Sequence, residues 1–256
     1  MPQESAMILD TTFFMIAIPA VIFAGISKGG FGSGAAFVAA PLLALIVDPA
    51  LAVGLMLPLL MLIDAATLKP YWKQWSWSDT RLLVLGAAPG VALGALFWRI
   101  ADADLLRIFL GVISLAFVAF QLARARNLIR IPDRPFAPIV GLFAGAIGGF
   151  TSFVSHAGGP PVAVYLLARG LNKTTYQATT VITFWAVNIF KAIPYAILGI
   201  FTSQTLLAGL YLAPAALFGA WLGVKAHRII PERPFFLITY VLLTLTGTKL
   251  IFDALT

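Results

Sequence analysis

The chain has no cysteine among its 256 residues, only two histidines, and few charged side chains, 11% in all. The first absence excludes disulfides, thiolate metal centres and cysteine nucleophiles. His156 and His227 lie far apart in the sequence, and no clustered metal-ligand spacing, Walker loop, HExxH pair or G-x-S-x-G elbow occurs. No catalytic residue, metal site or cofactor is therefore expected, and the chain is expected to be neither an enzyme nor an ATP-driven pump. Ordinary soluble domains carry about 25% charged residues, so this one has too little polar surface to face water.

What is present is apolar. Hydrophobic side chains make up 61% of the chain, and its mean hydropathy is +0.97. Such a chain belongs in a lipid bilayer. At about 20 residues per crossing it has room for roughly twelve crossings at most and for no separate soluble domain. Soluble enzymes and nucleic-acid-binding modules are thereby excluded. In a soluble domain the net charge of +7 would suggest a nucleic-acid partner; in a membrane it reports orientation. Glu4 and Asp10 stand where a secretory leader would be basic, so the first apolar run is expected to remain as a helix.

Stretches free of Asp, Glu, Lys and Arg cover 11–27, 29–47, 49–63, 82–98, 108–123, 135–168, 174–190, 192–224 and 234–248. As one helix, 135–168 would run about 51 Å against a hydrocarbon core of about 30 Å, so it must fold back. Ser155-His156-Ala157-Gly158-Gly159-Pro160-Pro161 is the natural break, because Gly releases the backbone and Pro suits only the start of a new helix. The window 192–224 divides around 199–205. The fold class expected is an all-α integral membrane protein. Its ten transmembrane or half-spanning helices are expected at 8–27, 34–47, 50–68, 81–99, 104–123, 136–155, 160–169, 175–198, 205–224 and 235–253. The second and seventh, roughly 21 Å and 15 Å long, are too short to cross comfortably.

Alternating the loops puts Lys28, Lys69, Lys73, Arg81, Arg124, Arg126, Arg130, Arg134, Arg169, Lys173, Lys225, Arg228 and Arg233 on one face. Arg99, Arg107 and Lys249 fall on the other. This is the positive-inside bias, and it places both termini outside the cytoplasm. Half-depth hairpins of the first and second, or sixth and seventh, segments give the same loop assignment, so the charges do not fix the depth of the tips.

Five segments fall on each side of a basic linker. The expected organisation is a five-helix repeat at 1–123, a cytoplasmic linker at 124–135 and a second repeat at 136–256. Gly34-Ala35-Ala36-Phe37-Val38-Ala39 answers Gly159-Pro160-Pro161-Val162-Ala163-Val164 at an offset of 125. An odd number of crossings per unit inverts the second copy. Interrupted inverted repeats are a recurring secondary-transporter design, with substrate held near the midplane. The alternative is a duplicated scaffold whose glycines serve only helix packing.

Inside lipid, irregular backbone persists only where protein or a wet cavity satisfies it. Both tips are therefore expected to line a cavity, each leading into a short helix whose N-terminal N–H groups favour an anion. The candidate substrate-binding residues are Ser27, Lys28, Gly29, Gly30, Ser33 and Gly34 in the first tip. In the second they are Thr151, Ser152, Ser155, His156, Gly158, Gly159 and Pro160. His156 is the candidate proton-sensitive ligand, with the alternative that it caps a helix end or bonds a backbone carbonyl. Lys28 has the alternative of snorkelling to headgroups, and His227 that of belonging to the cytoplasmic charge cluster. Asp64, Gln177, Asn188 and Lys191 are candidates for a coupling or pathway role, because polar groups within spans are costly. The alternative for Asp64 is an interfacial place near Lys69, and for Lys191 snorkelling outward. Residues 71–77 form an expected interfacial aromatic belt.

The motifs GISKGGFGSGAAFVAAPLLAL and GGFTSFVSHAGGPPVAVYLLARGLNKTTYQATT resemble the two halves of the TauE/SafE sulfite exporter family of bacterial membrane permeases, and the resemblance covers essentially the whole chain. The first motif departs from the family's usual G-x-G-G-G run, with Gly32-Ser33-Gly34 in its place. The resemblance implies a bacterial cytoplasmic membrane and movement of sulfite, a sulfonate or a related sulfur-containing organic anion. The residues suggest the anion; the resemblance supplies the sulfur. The function expected is a secondary transporter working by alternating access, with protons as the candidate coupling ion. A passive anion channel and a non-catalytic membrane subunit are the alternatives, and nothing in the residues specifies an oligomeric state.

Overall fold

The computed structural model describes residues 9–32, 35–129, 136–229 and 232–256, without the side chains of 228, 229 and 232–234. Ser33, Gly34, Arg130, Arg134 and the side chains of Arg228 and Arg233, all assigned above, lie outside the described residues. The described residues form helices and no strand. Helices satisfy their own backbone, which a bilayer interior demands.

Ten α-helices follow in order: α1 (Thr11–Gly30), α2 (Ala39–Leu43), α3 (Pro49–Leu68), α4 (Trp77–Trp98), α5 (Ala103–Ala125), α6 (Pro138–Ser155), α7 (Gly159–Ala168), α8 (Lys173–Ile197), α9 (Ser203–Ile229) and α10 (Glu232–Leu255). All but α2 and α7 are long and apolar enough to cross a membrane. Short polar side chains start several of them: Asp10, Asp48, Asp102 and Asn172 accept from Phe13, Ala50, Leu105 and Thr175 backbone N–H groups.

Two boundaries differ from the sequence expectation. The second segment is not a helix over 34–47 but a 3-10 turn, Ala36–Val38, followed by the five-residue α2. Pro41 has no N–H to donate to the Phe37 carbonyl, so the α-ladder cannot extend back through the turn. Conversely, α1 continues through Gly29 and Gly30, where close packing on a neighbour supports the helix. Both breaks fall at left-handed residues, Gly32 at φ +76° and His156 at φ +58°. That conformation is the usual way to end a helix and suits glycine. For a histidine it is strained, and it persists only where the surroundings hold it.

The helices pair through small residues. α1 lies along α9, α4 along α6 and α5 along α10, while α3 meets α8 and α9, and α8 also meets α4. A Cβ at Gly90 of α4 would sit 2.0 Å from the Ala146 carbonyl oxygen of α6. One at Gly145 of α6 would sit 2.2 Å from that of Leu83. On the other side, Gly25 and Gly29 face Ala220, and Gly219 and Gly223 face Ile22 and Ile26. Backbones this close are how helices associate in lipid, where apolar burial gives no drive between them. Outward, Leu93, Phe143, Leu210, Phe218 and Leu245 are exposed, an apolar surface suited to acyl chains. The buried face of α8 carries Gln177, Thr180, Phe184, Asn188 and Lys191 at three- and four-residue spacing.

Gly90→Ala should therefore lower stability by about 1–3 kcal/mol through overpacking. Gly209→Ala, whose Cβ meets only Leu55 Cδ1 at 3.8 Å, should change it by less than about 0.5 kcal/mol. Thermal unfolding of the purified protein in detergent checks the contrast.

Candidate functional site

A helix that stops inside a membrane leaves its last carbonyls without partners. At the end of α1, each of three successive carbonyls is capped by a side chain from elsewhere in the chain. Gln177 Nε2 donates to Lys28 O at 2.5 Å, Tyr71 Oη to Gly29 O at 2.7 Å, and His227 Nδ1 to Gly30 O at 2.8 Å. At the end of α6, Tyr195 Oη donates to Phe153 O at 2.5 Å and Thr151 Oγ1 to Ala157 O at 3.0 Å. Two expectations change here. Tyr71 and His227 are buried and hold the first tip, because an unsatisfied carbonyl in hydrocarbon costs more than ordering a side chain at the interface. Trp72 and Trp77 remain exposed, as the aromatic belt requires.

The two tips converge on one another. Lys28 Nζ lies 2.7 Å from Asp64 Oδ1. Asp64 Oδ2 accepts from Asn188 Nδ2 at 2.7 Å. The carboxamide's other end, Asn188 Oδ1, accepts from Lys191 Nζ at 3.2 Å. Lys191 Nζ also donates to Ser152 Oγ at 3.1 Å and contacts His156 Nδ1 at 2.8 Å. Finally, His156 Nε2 reaches the Val53 carbonyl oxygen at 2.9 Å. An unbroken polar chain thus links α1, α3, α8 and α6. Asp64 and Lys191 are both 0% exposed, so neither the interfacial nor the snorkelling alternative holds. Lys28 is 5% exposed and takes a carboxylate rather than a headgroup.

A void of about 10 Å³, room for about one water, is lined by Lys28, Ser152, His156, Asn188, Phe184, Ala36 and Leu60. A larger cavity of about 630 Å³ lies beside it, lined by Arg124, Lys173 and His227 with Gln121, Gln177, Gly30, Pro160 and a group of aromatic side chains. Among the described residues, no acidic side chain lines this vestibule. The Gln177 bond to Lys28 O ties the vestibule floor to the wall of the void.

A family model described as Sulfite exporter TauE/SafE matches residues 17–250. The chain belongs to the TauE/SafE family. That family is one of membrane transporters for sulfur anions. Searches of curated proteins and of solved structures returned no match.

Within this TauE/SafE chain, the other expected site residues serve different purposes. Ser27 Oγ donates to Gly32 O, and Ser155 Oγ to Thr151 O. Gly29 packs on α9, and Gly158 against Gly148 and Phe184. Gly159 and Pro160 open α7, and Pro160 lines the vestibule rather than the void. The expected anion-binding helix ends are weaker than the sequence suggested: α2 is too short to present one, and Pro160 and Pro161 remove two donors from the first turn of α7. Sequence reasoning also missed Asp79 (1% exposed), which forms an ion pair with Arg169 Nε at 2.8 Å and accepts from Tyr165 Oη at 2.9 Å and Ser76 Oγ at 2.6 Å. These bonds pin α7 to the start of α4. Asp79 resembles any first-turn acid, and Arg169 any cytoplasmic cation, so no sequence signal marked them.

Asp64→Leu should destabilise the protein by about 3–5 kcal/mol, because it leaves Lys28 buried without its counter-charge. Combining it with Lys28→Met should recover most of that loss. Thermal unfolding of the two variants beside the native protein measures the difference.

Proposed function

We propose that this chain is a secondary transporter that holds a small sulfur-containing anion, sulfite or a sulfonate, between its two broken helices and moves it by alternating access. One observation carries the reading. Two buried lysine side chains, Lys28 and Lys191, face a single buried carboxylate, Asp64. Lys191 Nζ meets Ser152 Oγ, His156 Nδ1 and Asn188 Oδ1, none of them anionic. Three such partners suit the three N–H bonds of an ammonium. With both lysines protonated, one positive charge is in excess beside the void, and an uncompensated charge in a bilayer is costly. A monovalent oxyanion neutralises it. The basic vestibule supplies the approach, attracting anions from the Lys- and Arg-rich face.

The two halves act as inverted repeats. Residues 124 positions apart play matching parts: Tyr71 caps Gly29 O as Tyr195 caps Phe153 O. Gly32 and His156 both break their helices in the left-handed conformation. Asp64 and Asn188, also 124 apart, bond to each other where the halves meet. The helix contacts repeat in the same way, α1 with α9 answering α6 with α4, and α3 with α9 answering α8 with α4. A wide vestibule that narrows to a water-sized void suits alternating access better than an open channel. The membrane is the bacterial cytoplasmic membrane, with the vestibule facing the cytoplasm and both termini outside.

In proteoliposomes, the native chain should exchange radiolabelled methanesulfonate or sulfite across the membrane. Lys28→Ala and Lys191→Ala should each slow exchange by roughly 30-fold or more, the cost of removing a buried charge that pairs with a ligand. Exchange at the native rate in both variants would remove the cluster from the path. The topology is tested separately, because the chain has no cysteine of its own. Leu128→Cys, at a site 75% exposed, should react with an impermeant maleimide only from the cytoplasmic side. Ile100→Cys, at a site 78% exposed, should react only from the outside.

A further inference from the structure

The pairing of Lys191 with His156 restricts how many protons the site can hold. The Val53 carbonyl only accepts, so the His156 Nε2 that meets it at 2.9 Å carries a hydrogen. His156 Nδ1 faces Lys191 Nζ at 2.8 Å, and a single proton lies along that line. With Lys191 charged, Nδ1 accepts and the imidazole is neutral. With the imidazole charged, Lys191 is a neutral amine.

The neighbouring groups do not take this proton. Among the described residues, those facing the pair are Asp64 from α3, Lys28 from α1, Ser152 from α6, and Asn188 and Tyr195 from α8 itself. Both Asp64 oxygens face donors, Lys28 Nζ and Asn188 Nδ2. Lys28 Nζ is paired with that carboxylate, and the Tyr195 hydroxyl is committed to Phe153 O.

Building on the anion-transport reading, we propose that Lys191 and His156 share one exchangeable proton that travels with the anion. With the proton present, the cluster carries one excess positive charge; without it, the cluster is neutral. Two states carry no net charge through the low-dielectric interior: protonated with a monovalent anion bound, and unprotonated with the site empty. The two mixed states leave a buried charge uncompensated. The carrier therefore cycles between the neutral states and moves one proton with each monovalent anion, without moving net charge. By linkage, proton binding and anion binding strengthen each other, so anion affinity rises as pH falls.

The test uses the full chain in proteoliposomes, with radiolabelled methanesulfonate, a permanently monovalent anion, outside and a trapped pH-sensitive dye inside. Net uptake should carry about one proton per anion, and its initial rate should be unchanged by a potassium diffusion potential of either sign. Lys191→Arg keeps the charge but cannot release the proton. In that variant the ratio of net uptake to exchange should fall at least about tenfold against native, and the remaining net uptake should lose its pH dependence. Uptake that follows the potential and leaves the dye silent overturns the inference, as does native net uptake with native pH dependence in Lys191→Arg. If that variant does not fold, the proton count and voltage response of the native chain decide alone. Net uptake by the native chain without proton movement removes this inference and leaves the transport reading standing. A native chain that exchanges no methanesulfonate removes both.

Discussion

Asp64 forms an ion pair with Lys28 at one oxygen and accepts from Asn188 on the other, and the arrangement of the whole centre depends on that double engagement. It fixes the Asn188 carboxamide with its oxygen turned toward Lys191, which directs the second cation to Ser152 and His156. The His156 ring, held at one nitrogen by Lys191 and at the other by the Val53 carbonyl, keeps its own backbone in the left-handed conformation that ends α6. One carboxylate thus connects the two breaks and sets the charge balance between them.

The surrounding scaffold makes such a centre tolerable in lipid. Glycine contacts between α4 and α6, and between α1 and α9, bring the interrupted helices against continuous ones. Side chains from α8, α9 and the segment after α3 then cap the carbonyls that the breaks expose, Gln177, Tyr71 and His227 at one end and Tyr195 at the other. With the backbone satisfied within the protein, the excess positive charge is what the site has left to offer a ligand. That offer is electrostatic and small in volume, in keeping with a compact oxyanion headgroup. The aromatic walls of the vestibule leave room for a larger organic remainder.

Much of this was legible in the sequence. Scarcity of charge and long apolar runs identify a membrane protein, and the glycine and proline clusters mark both breaks, since no spanning helix tolerates Gly-Gly-Pro-Pro. Lys28, Asp64, His156, Asn188 and Lys191 stood out as polar groups within or beside apolar segments. Their convergence was not legible, because Lys28 and Lys191 lie more than half the chain apart and amphipathic spacing does not say which helices meet. Proximity to a segment end misled for Asp64 and Lys191, whose burial depends on partners from other helices. The anion-binding ends of α2 and α7 were overestimated for a local reason: α2, with Pro41 inside it, is only five residues long, and Pro160 and Pro161 remove donors from α7. The Asp79 cluster gave no signal, since a first-turn acid and a loop arginine have ordinary uses.

The central claim is that the excess positive charge between Lys28 and Lys191 is where the anion binds. An experimental structure of the native chain with 2-bromoethanesulfonate or selenite, located by the anomalous signal of bromine or selenium, tests it directly. The account predicts the anion beside Lys191 Nζ, within reach of Ser152 Oγ, with the water-sized void expanded to receive it. Signal confined to the vestibule near Arg124 and Lys173, with the polar chain from Lys28 to His156 unchanged, would contradict it.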